Sequence, residues 1–168
     1  MSNQFPKPAG FTLIELIVYL AIVSIILVSI SYLIIDILQN QTRDLARQEV
    51  NYNLKFIANY LTRDIREANQ IGSLSTTTLV LNFPAAKTVT YRFDRDSQSL
   101  SRQLNAGAFL PVSTDQVWVN GDFTDLSFKN KTKNVGILLI IAYKNPGDIA
   151  YFSASTSDSL AVELRGKR

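Results

Sequence analysis

The sequence contains no cysteine and no histidine among its 168 residues. Without them the chain has no disulfide framework, no Cys or His nucleophile, no His base and no zinc site built on these ligands. An excess of charge of one sign is also missing, because 17 basic residues face 14 acidic ones and leave a net charge of +3. A dedicated nucleic-acid-binding protein carries a stronger basic excess. These absences argue against most classes of enzyme.

Apolar residues, by contrast, make up 46% of the chain, and charged residues make up 18%. This composition supports a folded core, and 168 residues suit one compact domain with an appendage. Glycine and proline, the two residues that interrupt helices most strongly, are absent from Phe11 to Ile71. We therefore expect a long helix in the N-terminal half of the chain.

Residues 16–35 form an uncharged apolar run between Glu15 and Asp36. A helix needs about 20 apolar residues to cross the hydrocarbon core of a bilayer, so the run predicts a membrane span. The N-terminal side carries Lys7 and the amine of Met1 with no acid before Glu15, which places this end in the cytoplasm by the positive-inside rule. We therefore expect a single-pass protein of the cytoplasmic membrane with its C-terminal domain outside.

A secretory signal peptide is the alternative interpretation of this run. Ser29-Ile30-Ser31 has the small-x-small form of a cleavage site, which would give a mature chain that starts at Tyr32. Two features favour a retained span instead. The apolar stretch is longer than the roughly 7 to 15 residues of a signal peptide, and the acidic Glu15 stands at its start.

The junction before the span, Pro8 to Leu16, reads PAGFTLIEL. It resembles the processing signal of type IV prepilins and type II secretion pseudopilins. The resemblance implies that a membrane prepilin peptidase removes a leader by cutting between Gly10 and Phe11, and that Phe11 is then N-methylated. It also implies that Glu15 is the hallmark glutamate of the family, which pairs with the Phe11 amine of a neighbouring subunit during filament assembly.

Glu15 is a candidate functional residue on physical grounds as well. A carboxylate at the edge of an apolar membrane helix is costly unless it is paired, so such residues are candidates for function. Cleavage after Gly10 would create an α-amine about one helical turn from Glu15. The alternative is that Glu15 stabilises the start of its own helix or reaches to the membrane interface.

Past the span, apolar residues recur at spacings of three and four, which predicts an amphipathic helix. The apolar stripe consists of Val50, Leu54, Ile57, Ala58, Leu61, Ile65 and Ala68. We place Asn53 and Asp64 on other, polar faces, where Arg63 and Glu67 have the spacing of an i,i+4 ion pair. Gly72 stands where a helix C-cap is expected, so the helix is predicted to end there.

From residue 76 the apolar period changes to two, which predicts an antiparallel sheet. The predicted strands are 78–83, 88–93, 99–104, 117–119, 124–128, 135–143 and 160–164, with turns at 94–97, 120–122 and 145–148. The strand 135–143 is nearly all apolar, so we expect it to be buried on both faces. The stripe of the amphipathic helix would cover the apolar face of the sheet.

These patterns predict an α+β fold. A long N-terminal helix, membrane-spanning in its first half, packs its second half on an antiparallel β-sheet, which is also the architecture that the pilin resemblance implies. We therefore predict four segments in the chain: a leader at 1–10, a transmembrane and filament-core helix at 11–38, an amphipathic continuation of the helix at 39–72, and a globular sheet domain at 73–168.

Few side chains suggest chemistry. Paired acids lie in predicted turns, where turn hydrogen bonding is a better interpretation than calcium binding. These acids are Asp94, Asp96, Asp122 and Asp125. The lysines Lys129, Lys131 and Lys133 form a basic loop, interpreted as a solvated loop with a weak DNA contact as the alternative. Trp118 is expected in the core or at a subunit contact, and no catalytic, cofactor or metal site is predicted.

We therefore predict a structural subunit rather than an enzyme, similar to a minor pilin or pseudopilin of a type IV pilus or type II secretion-type filament. The resemblance implies these partners: prepilin peptidase, other pilin subunits, the inner-membrane assembly platform and membrane lipid before assembly. The final location would be a pilus or a periplasmic or cell-surface filament. Two alternatives stay open, a DNA-uptake pseudopilin and a single-span membrane protein that does not polymerise.

Overall fold

The computed structural model describes residues 10–127, 133–145, 147, 149 and 152–165. The chain divides into two units, Met1–Gln41 and Thr42–Arg168. Helix α1, Leu13–Glu67, contributes its first half to the first unit and its second half to the second.

In the first unit, α1 is apolar on all sides. Among the large apolar side chains from Phe11 to Leu38, all but Val23 are exposed. Three serines in this stretch donate their hydroxyls to the carbonyl four residues earlier, at 2.7 Å for Ser24, 2.9 Å for Ser29 and 2.9 Å for Ser31. Within the described residues, α1 is the one helix long and apolar enough to cross a membrane. An apolar surface with satisfied hydroxyls suits a hydrocarbon environment.

The second unit contains two antiparallel sheets besides the second half of α1. Sheet A has its strands in chain order: β1 (Gln70–Leu74), β2 (Thr78–Asn82), β3 (Thr88–Asp94), β4 (Ser99–Leu104) and β5 (Leu110–Pro111). Sheet B has the order β6 (Val117–Asp125), β7 (Asn134–Tyr143) and β8 (Ser155–Glu163). The strands were predicted as one sheet, whereas the structure divides them between two.

The core of the second unit lies where α1 meets the inner faces of these sheets. Val50, Ile57 and Leu61 of α1 are buried, as the apolar stripe predicted. They share one cluster with sheet residues that include Leu79, Leu81, Val89, Tyr91, Phe93, Phe123, Val135, Ile137, Leu139 and Ile141. The predicted α+β fold, a long helix packed on antiparallel sheet, is confirmed.

The predicted end of the helix at Gly72 is wrong. Helix α1 ends at Glu67, and Gly72 lies in β1, where a bulge falls between Ile71 and Ser73. The Asn69 N–H already donates to the Asn82 carbonyl at 2.8 Å, so the chain enters the sheet directly after the helix. Pairing with β2 satisfies the backbone here, and a helix would leave that edge of β2 unpaired.

The predicted turn at 120–122 is also wrong, because β6 runs unbroken through it. Gly121 is needed for close packing rather than for a turn. A Cβ at this position would lie 2.7 Å from Phe93 Cζ and would collide with the Leu138 carbonyl. The rings of Phe93 and Phe123 lie 4.8 Å apart beside it, so the missing side chain lets the two sheets approach each other.

Strand β7 was expected to be buried on both faces, and it is buried on one. Val135, Ile137, Leu139 and Ile141 point into the core, whereas the alternate residues Leu138 and Ile140 are 38% and 43% exposed. The structure therefore leaves an apolar outer face on sheet B. No sequence pattern distinguishes a strand covered on both sides from one whose second apolar face is uncovered.

Three strand segments were not predicted. Strand β1 falls where helix was expected, β5 has two residues, and β8 begins in the polar segment Ser155–Ser159. Asn145 and Gly147 of the predicted turn at 145–148 are described, and the Asn145 amide bonds the backbone of Ile149 at 2.8 and 3.1 Å. Phe128, Pro146 and Asp148, which also belong to predicted elements, lie outside the described residues.

Candidate processing and assembly site

The Gly10–Phe11 peptide bond lies in a segment without regular secondary structure, just before α1. Gly10 is exposed, and Phe11 is 83% exposed. A Cβ placed on Gly10 would meet no atom within 4 Å, so nothing in the described part of this chain requires glycine at that position. An accessible, non-helical bond suits proteolysis. Residues 1–9, the rest of the predicted leader, lie outside the described residues.

Thr12 caps the start of α1. Its hydroxyl accepts a hydrogen bond from the Glu15 N–H at 3.4 Å, and its carbonyl accepts one from the Leu16 N–H at 3.3 Å. A threonine three residues before a glutamate is the sequence pattern of a capping box. The capping role of Thr12 was not predicted, although its spacing from Glu15 is visible in the sequence. The cap fixes where the helix begins, directly after the candidate cleavage bond.

Glu15 lies in the first turn of α1 with its side chain exposed. Together with Phe11, Leu16 and Tyr19 it lines one surface groove of about 500 Å³. A carboxylate here interacts favourably with the positive end of the helix dipole, which supports the interpretation that Glu15 stabilises its own helix. The same exposure leaves the carboxylate accessible to a second subunit. The two interpretations are therefore compatible.

Residues 6–31 match the family model of the prokaryotic N-terminal methylation motif. The chain carries the signature of type IV pilins and pseudopilins. The resemblance stated from the sequence is thereby confirmed, and the matched range includes Gly10, Phe11 and Glu15. The signature implies processing by prepilin peptidase and assembly with other pilin subunits. The chain matches no curated protein and no solved structure.

The pilin signature agrees with the physical character of α1, whose first turns it includes. An apolar N-terminal helix together with this motif fits a membrane-anchored pilin. The family that the motif defines is structural rather than enzymatic.

A second constellation surrounds Asp64, which is 4% exposed. Its Oδ2 accepts hydrogen bonds from the Tyr91 hydroxyl at 2.8 Å and from Arg102 Nε and Nη2 at 3.2 and 3.1 Å. The prediction that placed Asp64 on a polar outward face is wrong. The missed signal was its spacing, because Asp64 follows the buried Leu61 by three residues and precedes the buried Ala68 by four.

Burial of the Asp64 carboxylate is tolerated because a cation and a hydroxyl share it. Burial and the neighbouring Asp64 raise the pKa of Tyr91, so its hydroxyl stays neutral and donates its proton to the carboxylate. Arg63, expected to pair with Glu67, lies 3.7 Å from Asp64 Oδ1 instead and stacks over the Tyr60 ring. The cluster joins α1 to β3 and β4 and leaves no free group for chemistry.

Asn53 was also placed on a polar face, and it is 1% exposed. Its Nδ2 donates to Glu49 and Thr114, and its Oδ1 accepts from the Thr114 N–H at 3.0 Å. The amide thus connects α1 to the segment between β5 and β6. Like Asp64, Asn53 fixes the helix on the domain.

Among the acidic pairs, the turn interpretation is right for Asp94 and wrong for Asp122. Asp94 Oδ1 accepts from the Asp96 and Ser97 N–H groups at 3.0 and 3.3 Å, and the hydrogen bonds from Ser97 and Asp96 lower the pKa of Asp94. Asp122 lies within β6 and pairs with Arg95 at 3.1 Å. In the described part of the chain, no three His, Cys, Asp or Glu residues are grouped to hold a metal ion.

Two lysines of the basic loop, Lys129 and Lys131, lie outside the described residues. Lys133 is exposed, and its N–H donates to Ser127 Oγ at 2.7 Å. The DNA contact therefore stays a prediction. Trp118 is 41% exposed on the outer face of sheet B, so it is not a core residue, and its interpretation as a subunit contact remains.

Proposed function

We propose that the chain is a filament subunit, similar to a minor pilin or pseudopilin, which is cut after Gly10 and assembled through the first half of α1. One observation carries the proposal: an exposed, non-helical Gly10–Phe11 bond stands directly before an apolar helix with Glu15 in its first turn. The match to the methylation motif supports the same assignment.

The first step is hydrolysis of the Gly10–Phe11 amide by prepilin peptidase. Water adds across the bond, leaving the Gly10 carboxylate on the leader and a free α-amine on Phe11. In its neutral form this amine attacks the methyl group of a sulfonium methyl donor, which leaves as a thioether. The nitrogen loses a proton in this transfer, and the resulting secondary amine is protonated again at neutral pH. The new ammonium lies four residues before Glu15, about one helical turn away. The requirement for glycine comes from the peptidase, since the described chain leaves open space around a Cβ at this position.

The second step transfers the apolar helix from lipid into the filament. Residues 11–38 expose their large apolar side chains, which need an apolar environment in both states. Glu15 in that environment is stabilised by the Phe11 ammonium of a neighbouring subunit, because a lone carboxylate there is costly. Residues 39–72 and the sheet domain at 73–168 stay outside the membrane, and the inner-membrane assembly platform drives the transfer.

N-terminal sequencing and intact mass of the membrane-extracted full chain test the processing step. We expect a chain that begins at methylated Phe11. A Gly10→Ala variant should keep Met1 as its first residue while its domain folds normally, because the added methyl meets open space. A start at Tyr32 would instead indicate a secreted domain, and a Met1 start in purified filaments would contradict the proposal.

Assembly is tested separately with Glu15→Leu. This variant should be cut after Gly10 and then be missing from sheared filaments, because it cannot pair with the incoming ammonium. Glu67→Leu, which removes an exposed carboxylate from the other end of α1, is the matched control and should assemble normally. Wild-type amounts of Glu15→Leu in filaments would refute the role of Glu15.

A further inference from the structure

The two edges of sheet B differ in how their backbone groups are satisfied. On the β6 edge, the Val119 N–H donates to the Gln98 carbonyl and the Phe123 N–H donates to the Thr76 carbonyl, both at 2.8 Å. Turns of sheet A therefore close this edge. On the opposite side, β8 pairs with β7 and with no other strand of the described chain. Strand β8 thus leaves an open edge that is nine residues long.

The hydrogen bonds at the two ends of β8 show which of its residues face the open edge. The Tyr143 N–H donates to the Ala154 carbonyl, and the Leu164 N–H donates to the Lys133 carbonyl, both at 2.8 Å. Such bonded pairs recur at every second residue of an antiparallel ladder, so the even-numbered residues of β8 bond β7. The odd-numbered residues turn their N–H and C=O groups to the open edge: Ser155, Ser157, Ser159, Ala161 and Glu163. A long unpaired edge of this kind is a template for a strand of another chain.

Asp158 lies near the middle of β8, on the face of the sheet that packs toward the core. Its partner in the register is Leu139, which is fully buried, whereas Asp158 itself is exposed. On the same face of β8, Val162 is buried, and Thr156 and Leu160 are half-buried. No hydrogen bond or ion pair joins the Asp158 side chain to another residue of the described chain. An unpaired negative charge therefore stands where the cover of the core ends.

We propose that the Asp158 carboxylate prevents the open edge of β8 from pairing with the same edge of a second copy. Backbone bonding between two such edges brings outward-facing residues opposite each other, so the core-side faces of the two sheets line up. In the register of full overlap, Ser159 lies opposite Ser159 of the second copy, and each Asp158 lies opposite Leu160. The two Asp158 residues are then diagonal neighbours, roughly 7–8 Å apart.

A shift of this register by two residues makes the contact worse. The two Asp158 side chains then lie directly opposite each other, with Cβ atoms roughly 5 Å apart. Like charges at either separation destabilise a cross-strand pair, and an apolar neighbour such as Leu160 makes the loss of hydration costly for the carboxylate. The serines of β8 are small and uncharged, so they present no comparable obstacle. The inference does not depend on the proposed function, because it concerns any two copies of the chain.

Ser159→Cys reports the pairing, because the chain has no cysteine of its own. Opposite residues of a hydrogen-bonded pair have Cα atoms about 5.5 Å apart, within reach of a disulfide. The full chain with Ser159→Cys, extracted in detergent and mildly oxidised, should stay monomeric. Adding Asp158→Asn, which removes the charge with little change of shape, should raise the yield of disulfide-linked dimer about fivefold. Asp96→Asn, which removes an exposed acid from the turn between β3 and β4, is the matched control and should leave the yield unchanged.

Charge reversal separates repulsion between edges from the reactivity of the thiol. Asp158→Lys combined with Ser159→Cys should stay monomeric, because two lysines repel each other as two carboxylates do, although a lysine beside the thiol makes it more reactive. An equimolar mixture of this chain with the chain that carries Ser159→Cys alone should give mixed dimers, identified by mass, in higher yield than either chain alone. Added salt should reduce that excess.

Three results would overturn the proposal. The first is equal dimer yields from the Ser159→Cys chains with Asp158 and with Asp158→Asn, provided that the circular dichroism of the two chains agrees. The second is the same equality with Asp158→Thr, which serves as the neutral variant if Asp158→Asn does not fold. The third is a high dimer yield from the Asp158→Lys chain alone, which would show that thiol reactivity rather than repulsion determines the yield.

Discussion

The first and second halves of α1 differ in how their apolar residues are distributed. From Leu16 to Ile35 the helix is apolar around its whole circumference, and its large side chains are exposed apart from Val23. From Ala46 onward the buried residues keep to one side, which packs on the sheets. One helix therefore carries two patterns suited to two solvents. The apolar side chains of the first half need an apolar environment from outside the chain, whereas those of the second half are buried within their own domain.

The two carboxylates Glu15 and Asp64 show the same difference. Asp64 is buried and receives hydrogen bonds from Tyr91 and Arg102 of its own chain. Glu15 is exposed in the first turn of a helix half that carries no other charge until Asp36. A carboxylate in apolar surroundings needs a partner, and we propose that Glu15 finds its partner in another subunit.

Removal of the Asp64 carboxylate should have the largest effect on stability. In Asp64→Ala, Arg102 and Tyr91 lose their shared acceptor inside the domain, which costs about 3–5 kcal/mol of unfolding free energy. Urea unfolding of the full chain in detergent, followed by tyrosine and tryptophan fluorescence, measures the change. Glu15→Ala should leave this transition unchanged. Equal losses from Asp64→Ala and Glu15→Ala would show that the two carboxylates do not differ in their contribution to the stability of the domain.

Truncation of a leucine should lower the unfolding free energy in the second half of α1 and leave it nearly unchanged in the first half. Leu61 is fully buried, so Leu61→Ala removes packed methyl groups and should cost about 3 kcal/mol. Leu27 is 59% exposed in the first half, and Leu27→Ala should leave the domain transition within about 0.5 kcal/mol of wild type. The same urea titration reports both. A loss from Leu27→Ala as large as that from Leu61→Ala would contradict this difference between the two halves of α1.

The sequence predicted those parts of the fold that local patterns determine. The long helix, the spans of β2 to β4 and the core positions Leu79, Val89 and Tyr91 follow from periods of 3.6 and 2. The end of α1 at Glu67 was not predictable in this way, because it depends on the pairing of β1 with β2. Gly121 was misread as a turn residue for a similar reason, since Phe93 packs against it from another sheet.

The difference between local patterns and long-range contacts also decides which site residues were predicted. Gly10, Phe11 and Glu15 lie within six consecutive residues, so their pattern was readable as a motif. The Asp64 cluster joins residues 27 and 38 positions apart, and Asn53 meets Thr114 across 61 positions. Only the tertiary fold brings such partners together. Side-chain polarity therefore misled the prediction at Asp64 and Asn53, where helical spacing alone was the better guide.

The smallest effect expected is a pH dependence that comes from Tyr91, whose hydroxyl bonds the buried Asp64. Burial and Asp64 raise the pKa of Tyr91 above its ordinary value of 10.0, so the folded chain keeps a neutral phenol where the unfolded chain ionises. The stability that Tyr91 contributes is therefore fully present below pH 10 and is lost as the pH rises further, at about 1.4 kcal/mol per pH unit. Tyr91→Phe lacks this ionisation, so its unfolding free energy should fall less between about pH 9 and 11. Tyr52→Phe, which removes an exposed hydroxyl from the second half of α1, is the control and should keep the wild-type dependence of unfolding free energy on pH. If Tyr91→Phe and wild type lose stability in parallel as the pH rises, the fold does not hold the Tyr91 phenol neutral.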